Sequence, residues 1–123
     1  MILVDTSVWV DHFNRSDRGL AAVLEAGQVI MHPFVLGELA CGVLPKRALV
    51  LRSLTELPAA PVATDEEARM YIERHALMGR GIGYVDVHLL ASVTLEGTAR
   101  LWTRDRRLAT VASALSLSLI IKD

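Results

Sequence analysis

The opening stretch Ile2-Leu3-Val4-Asp5-Thr6-Ser7-Val8-Trp9 decides the fold. Ile2 to Val4 is a short run without a polar residue, too brief for a helix, and it reads as a strand buried on both faces. Such strands belong to parallel sheets covered by helices. The first polar residue is an acid, Asp5, just past the strand end. In open parallel sheets ligands sit beyond the carboxyl ends of the strands. Ser7 is expected to cap a short helix running through Phe13.

The pattern repeats along the chain. Asn14 to Asp17 is a polar turn, and Leu20, Val23 and Leu24 form a helical stripe stopped by Gly27. Val29 to Met31 is a second short strand. Pro33 suits the first turn of a helix that holds Glu38 and runs to about Val43. After Pro45, residues Lys46 to Leu57 are predicted helical, and Pro58 to Pro61 form a loop. Thr64 and Glu67 make a capping box for a helix to about Met78. A loop, Gly79-Arg80-Gly81-Ile82-Gly83, leads into a helix with Asp86, Leu89, Leu90 and Val93 on one face, ended by Gly97. Arg100 to Thr103 is a strand, Leu108 to Leu115 a helix, and Leu117 to Ile121 a last strand. Strands alternating with helices make an α/β chain with a short-stranded parallel central sheet. Residues 1–123 are expected to form a single domain.

Composition narrows the function classes. Hydrophobic residues make up 52% and mean hydropathy is +0.37, rich enough to expect a partner or second copy over part of the surface. The net charge of −1 argues against a broad basic footprint for duplex DNA. Aromatics at 5% make base-stacking platforms sparse. Cys41 is the only cysteine, so no intrachain disulfide forms. The first residues lack the basic start of a signal peptide, and the uncharged stretch from Leu108 to Ile121 is too short to span a bilayer. A cytoplasmic protein without a membrane segment is expected.

Four acids carry the chemistry: Asp5, Glu38, Asp86 and Asp105. Each lies in or beside an apolar segment, where a lone carboxylate is costly to bury without a positive partner. Converging, they make a site for a hard divalent cation, Mg²⁺ or Mn²⁺, which takes oxygen ligands. Ser7 and Thr103 stand near them in sequence as hydroxyls able to hold a carboxylate or a bound water. Arg104, Arg106 and Arg107 surround Asp105 and are either a phosphate track or a solvated face. Each acid also has a plainer reading. Glu38 can be a helix-surface acid, Asp86 a helix-dipole partner and Asp105 a turn residue. A capping role for Asp5 is disfavoured because Ser7 supplies the cap. The histidines His12, His32, His75 and His88 show no metal-ligand spacing, and Trp9 and Trp102 read as core.

Four segments in this order resemble the PIN-domain ribonucleases, in particular the small VapC-type toxins of toxin–antitoxin pairs. They are Leu3-Val4-Asp5-Thr6-Ser7, Val35-Leu36-Gly37-Glu38-Leu39, Tyr84-Val85-Asp86-Val87-His88-Leu89, and Thr103-Arg104-Asp105-Arg106-Arg107-Leu108. His88 stands where the family has a small or apolar residue, and Leu108 where an aromatic is common. The resemblance implies an α/β/α sandwich and an Mg²⁺- or Mn²⁺-dependent endoribonuclease. Asp5, Asp86, Asp105 and Glu38 would be its catalytic and metal-holding residues. It also implies an antitoxin partner and an RNA substrate, and it supports a homodimer with residues 33–57 as the expected contact region. Two other classes are weighed: a PIN-like module that binds RNA or a partner without cleaving, and a receiver-type signalling domain. The second lacks adjacent acids after the first strand and has no Asp between Val50 and Pro61.

Overall fold

Strand β1 (Ile2–Val4) lies at the centre of a parallel sheet, with β2 (Val29–Ile30) on one side and β3 (Arg100–Trp102) on the other. The computed structural model describes residues 1–119. Ile2 and Leu3 pair with Val29 and Ile30, and Ile2 to Val4 pair with Arg100 to Trp102. All three residues of β1 are buried, as an unbroken apolar strand between two helical layers requires. The order β2-β1-β3 makes β1 a switch point: the chain leaves it toward one neighbour and returns on the far side. The crevice beyond the carboxyl end of β1 is therefore the natural ligand site, and Asp5 stands at its floor.

The helices are α1 (Thr6–Asn14), α2 (Arg18–Glu25), α3 (Pro33–Ala40), α4 (Arg47–Thr55), α5 (Asp65–His75), α6 (Tyr84–Glu96) and α7 (Arg106–Ala114). Helix α1 packs on α3 and α3 on α4, while α6 packs on α5 and β3. This is the expected α/β/α sandwich. Leu3, Leu89, Leu90, Leu101 and Leu108 are fully buried in one core, with Trp9 and Trp102 also inside it. Each such side chain contributes about 1.5–3 kcal/mol of burial.

Several boundaries differ from the sequence expectation, each for a local reason. Asp5, not Ser7, caps α1: its Oδ1 accepts from the Thr6 N–H at 2.8 Å. Helix α3 stops at Ala40 rather than near Val43, because the Arg47 guanidinium takes the carbonyls of Ala40 and Gly42. Helix α4 begins only at Arg47, after Lys46 in a left-handed conformation (φ 47°), and ends at Thr55. Helix α5 ends at His75 because Ala76 turns left-handed (φ 51°). Its capping box of Thr64 and Glu67 forms as expected.

Helix α6 does not present one apolar face. Every residue from Val87 to Val93 is buried, so the helix is surrounded. Met31 lies beyond β2 and makes an isolated bridge with Ala59, in the segment expected to be only a loop. Thr103 falls outside β3. The last expected strand appears as a single bridge between Leu101 and Ser118, and Ile120 and Ile121 lie outside the described residues.

Candidate active site

The Asp5 carboxylate is buried and held from three directions. Its Oδ1 caps α1, and its Oδ2 accepts from the Ser7 hydroxyl at 2.9 Å and the Thr103 hydroxyl at 2.7 Å. Hydrogen bonds to a charged acceptor are the stronger kind, and they satisfy an acid that burial would otherwise penalise. The β1–β3 pairing explains the meeting: the Asp5 N–H continues the ladder to the Trp102 carbonyl at 2.8 Å, bringing Thr103 alongside. Both the Ser7 and the Thr103 hydroxyls thus donate to one carboxylate oxygen.

The other three acids follow a common pattern. Glu38 projects from α3 and accepts from the Thr6 hydroxyl through Oε1 at 2.6 Å. Asp86, in the first turn of α6, accepts from the Gly83 N–H through Oδ2 at 3.0 Å. Asp105 caps α7 through Oδ1, which accepts from the Leu108 N–H at 3.0 Å, and its own N–H donates to Thr103 Oγ1 at 3.1 Å. Among the described residues, each of these carboxylates has one oxygen fixed by a protein donor and one with none.

Electrostatics ties the four together. The Asp86 carboxyl is pushed above the ordinary carboxylate range, first by burial and then by the charges of Asp5, Asp105 and Glu38; the Gly83 N–H offsets part of this. The Asp86 carboxyl is therefore near enough to the other three acids to feel their charge. The four do not close into a cage: among the described residues, no three His, Cys, Asp or Glu side chains are grouped closely enough to chelate a metal ion. An all-oxygen set with one unused oxygen on each of three carboxylates fits a hard cation that keeps several waters. It does not fit one that demands a complete protein shell.

The plainer readings are partly realised as well. Asp5 and Asp105 are helix caps, and Asp86 is bonded to its own helix entrance. Capping and cation binding are compatible, since a cap uses one carboxylate oxygen. Thr6 was missed in the sequence as a functional residue, although it is the middle member of Asp5-Thr6-Ser7. Among the described residues, its hydroxyl is what ties Glu38 to the start of α1.

The Arg104 guanidinium is already paired, bound to Asp11 at 2.6 Å and to Asp17. Its backbone N–H donates to Ser7 Oγ at 3.0 Å. It braces the turn between α1 and α2 against the site; the partner acids lie too far off in sequence to suggest this. Arg106 and Arg107 are exposed and, among the described residues, form no ion pair.

The histidines stay outside the chemistry. His32 is fully buried, with its pKa pushed down to about 4 by burial and the nearby His88. Its Nδ1 accepts from the Phe34 N–H and caps α3. His88 packs against Phe34 and Tyr84, where an apolar residue was expected.

The structure of FitAcB from Neisseria gonorrhoeae superposes with a TM-score of 0.60, covering 92% of this chain and 94% of that one; at 21% identity this is a likeness of fold. Two relatives named Ribonuclease VapC32, from Mycobacterium tuberculosis strains CDC 1551 / Oshkosh and ATCC 25618 / H37Rv, are each 44% identical over 119 residues. The match covers 97% of this chain and 96% of theirs. The PIN domain family model matches residues 2–114, a span that takes in all four acids. The chain belongs to the PIN domain family.

Proposed function

We propose that the chain is a metal-dependent endoribonuclease of the VapC type, the toxin of a toxin–antitoxin pair, working in the cytoplasm as one domain over residues 1–123. The observation that carries the reading is the set of four carboxylates at the sheet's switch point, three of them with an oxygen left free of protein donors. The relatives' ribonuclease name and their near-complete coverage support the same conclusion.

Asp5, Glu38, Asp86 and Asp105 would hold Mg²⁺ or Mn²⁺, which lowers the pKa of a bound water and offsets charge on the phosphate when present. The chain's own part is positioning. Ser7, Thr103 and the Thr6 N–H fix the Asp5 carboxylate, and Thr6 Oγ1 fixes Glu38. Asp105, tied by one oxygen to α7, presents the other to orient the attacking water and accept its proton. The water oxygen would bond to phosphorus as the bridging P–O bond breaks, and the leaving oxygen would take a proton from solvent. The arrangement costs little reorganisation because each acid is already held.

An inhibitory partner is supported by an apolar groove of about 310 Å³ along α1, α2 and α4, lined by Trp9, Phe13, Leu24, Leu49, Leu54 and Leu57. Such a groove suits an amphipathic helix, and an Arg or Lys carried with it would neutralise the acids. A homodimer through residues 33–57 is supported by exposed Phe34, Val43 and Leu49. The functional test is incubation of partner-free protein with RNA in Mn²⁺ or Mg²⁺, then with chelator. Cutting that needs the metal is expected; cutting that persists in chelator overturns the mechanism.

A further inference from the structure

Resting on the ribonuclease reading, we infer that Arg80, Arg106 and Arg107 form a phosphate subsite that grips the RNA backbone beside the acidic crevice. These three side chains, with Thr110 and Val111, line a cleft of about 190 Å³. Two of them open α7 immediately after Asp105, and Arg80 comes from the loop that leads to Asp86. The cleft is thus lined from the two chain segments that carry Asp86 and Asp105. Among the described residues none of the three guanidinium groups has a carboxylate partner, whereas neighbouring Arg104 has two. Gathering like charges at one place is unfavourable unless an anion joins them. Positions in the first turn of a helix add to the preference for negative charge.

The cleft is built rather than incidental. Gly81 has φ +80°, and a Cβ there would stand 2.7 Å from Arg107 Cδ and 3.1 Å from its Nη1. The loop backbone thus lies against the Arg107 side chain, and the positive φ at Gly81 favours glycine there. That contact holds Arg107 against the same loop that carries Arg80. The occupant is a phosphodiester of the substrate strand, one that is not cut. The acids would hold the cation that takes the scissile phosphate, while the arginines meet a neighbouring phosphate directly. Guanidinium forks match phosphate oxygens in pairs.

The test compares wild type with a triple variant, Arg80→Gln, Arg106→Gln and Arg107→Gln, all at exposed positions where the fold tolerates the change. Binding of a labelled single-stranded RNA is followed in chelator across a salt series, and cleavage is followed in Mn²⁺. The triple variant is expected to bind about tenfold or more weakly at low salt. Its slope of log affinity against log salt should flatten by about 0.7–1, the share of one phosphate. In Mn²⁺, KM should rise with little change in kcat. Gly81→Ala, which keeps every charge but displaces Arg107, should also raise KM. An unchanged salt slope in the triple variant overturns the subsite while leaving the ribonuclease reading intact. A wild type that neither binds nor cuts RNA overturns both.

Discussion

Replacing Thr103 by Val removes one hydroxyl and keeps the side chain's shape. That hydroxyl donates to Asp5 Oδ2 at 2.7 Å and accepts from the Asp105 N–H at 3.1 Å, so it links two of the four acids. A hydrogen bond to a charged group contributes about 1.5–3 kcal/mol. Thr103 is only half-buried, and Asp5 keeps its bonds from Ser7 and Thr6, so the expected loss is about 1–2 kcal/mol. For a chain of this length that lowers Tm by roughly 4–10 °C. Thr103→Ser is the control: it keeps the hydroxyl and loses one half-buried methyl, about 0.5 kcal/mol. Cleavage should fall about tenfold to hundredfold in kcat for Thr103→Val, because Asp5 and Asp105 lose their shared anchor. Thr103→Ser should stay within a few-fold of wild type. Thermal melts and steady-state cleavage of one RNA in Mn²⁺ decide it. If Thr103→Val melts and cleaves like Thr103→Ser, the hydroxyl bridge does not organise the site.

Two further outcomes follow from the same electrostatics. Burial and three acidic neighbours raise the Asp86 carboxyl in the folded state above its ordinary value of 3.8. Folding therefore favours its protonated form, and this stability is present at low pH and lost as pH rises through the folded-state value. Metal-free Asp86→Asn should consequently be at least as stable as wild type near neutral pH, and the melting difference between them should grow as pH rises from the acid side. A wild type that is clearly the more stable at neutral pH would show that Asp86 is chiefly a structural anchor of α6. Arg104→Ala should cost about 1 kcal/mol, since Arg104 pairs with both Asp11 and Asp17 on a partly exposed surface. Denaturation at low and high salt should show that cost shrinking with salt; an equal cost at both would mean that packing of Arg104 over the Trp102 ring, and not charge, is what is lost.

The sheet and most helices were legible in the sequence because short apolar runs and glycine or proline stops are local signals. Ile2 to Val4 needed only its own three side chains to be read as a buried strand. The acids were legible for a related reason: Asp5 and Asp105 each interrupt an apolar context at a strand end. What was not legible depends on pairing across the chain. Ser7 looked like the cap because it is a good capping residue, but the β1–β3 ladder brings Thr103 to Asp5 and turns Ser7 into a donor to that carboxylate. Arg104 looked free because Asp11 and Asp17 become its neighbours only once α1 and α2 fold against the end of β3. Likewise, Thr6 gains meaning only when α3 delivers Glu38 to it.

The central claim is that Asp5, Glu38, Asp86 and Asp105 act as one cation-holding unit. The most direct measurement is RNA cleavage at saturating Mn²⁺ by the four single variants Asp5→Asn, Glu38→Gln, Asp86→Asn and Asp105→Asn, and by the double variant Asp5→Asn with Asp105→Asn. Groups that work as a unit are strongly non-additive. Each single change should therefore remove most of the activity, and the double variant should cleave about as slowly as the worse of its two parents. Losses that multiply in the double variant, or full activity after any one substitution, would contradict a single four-carboxylate centre.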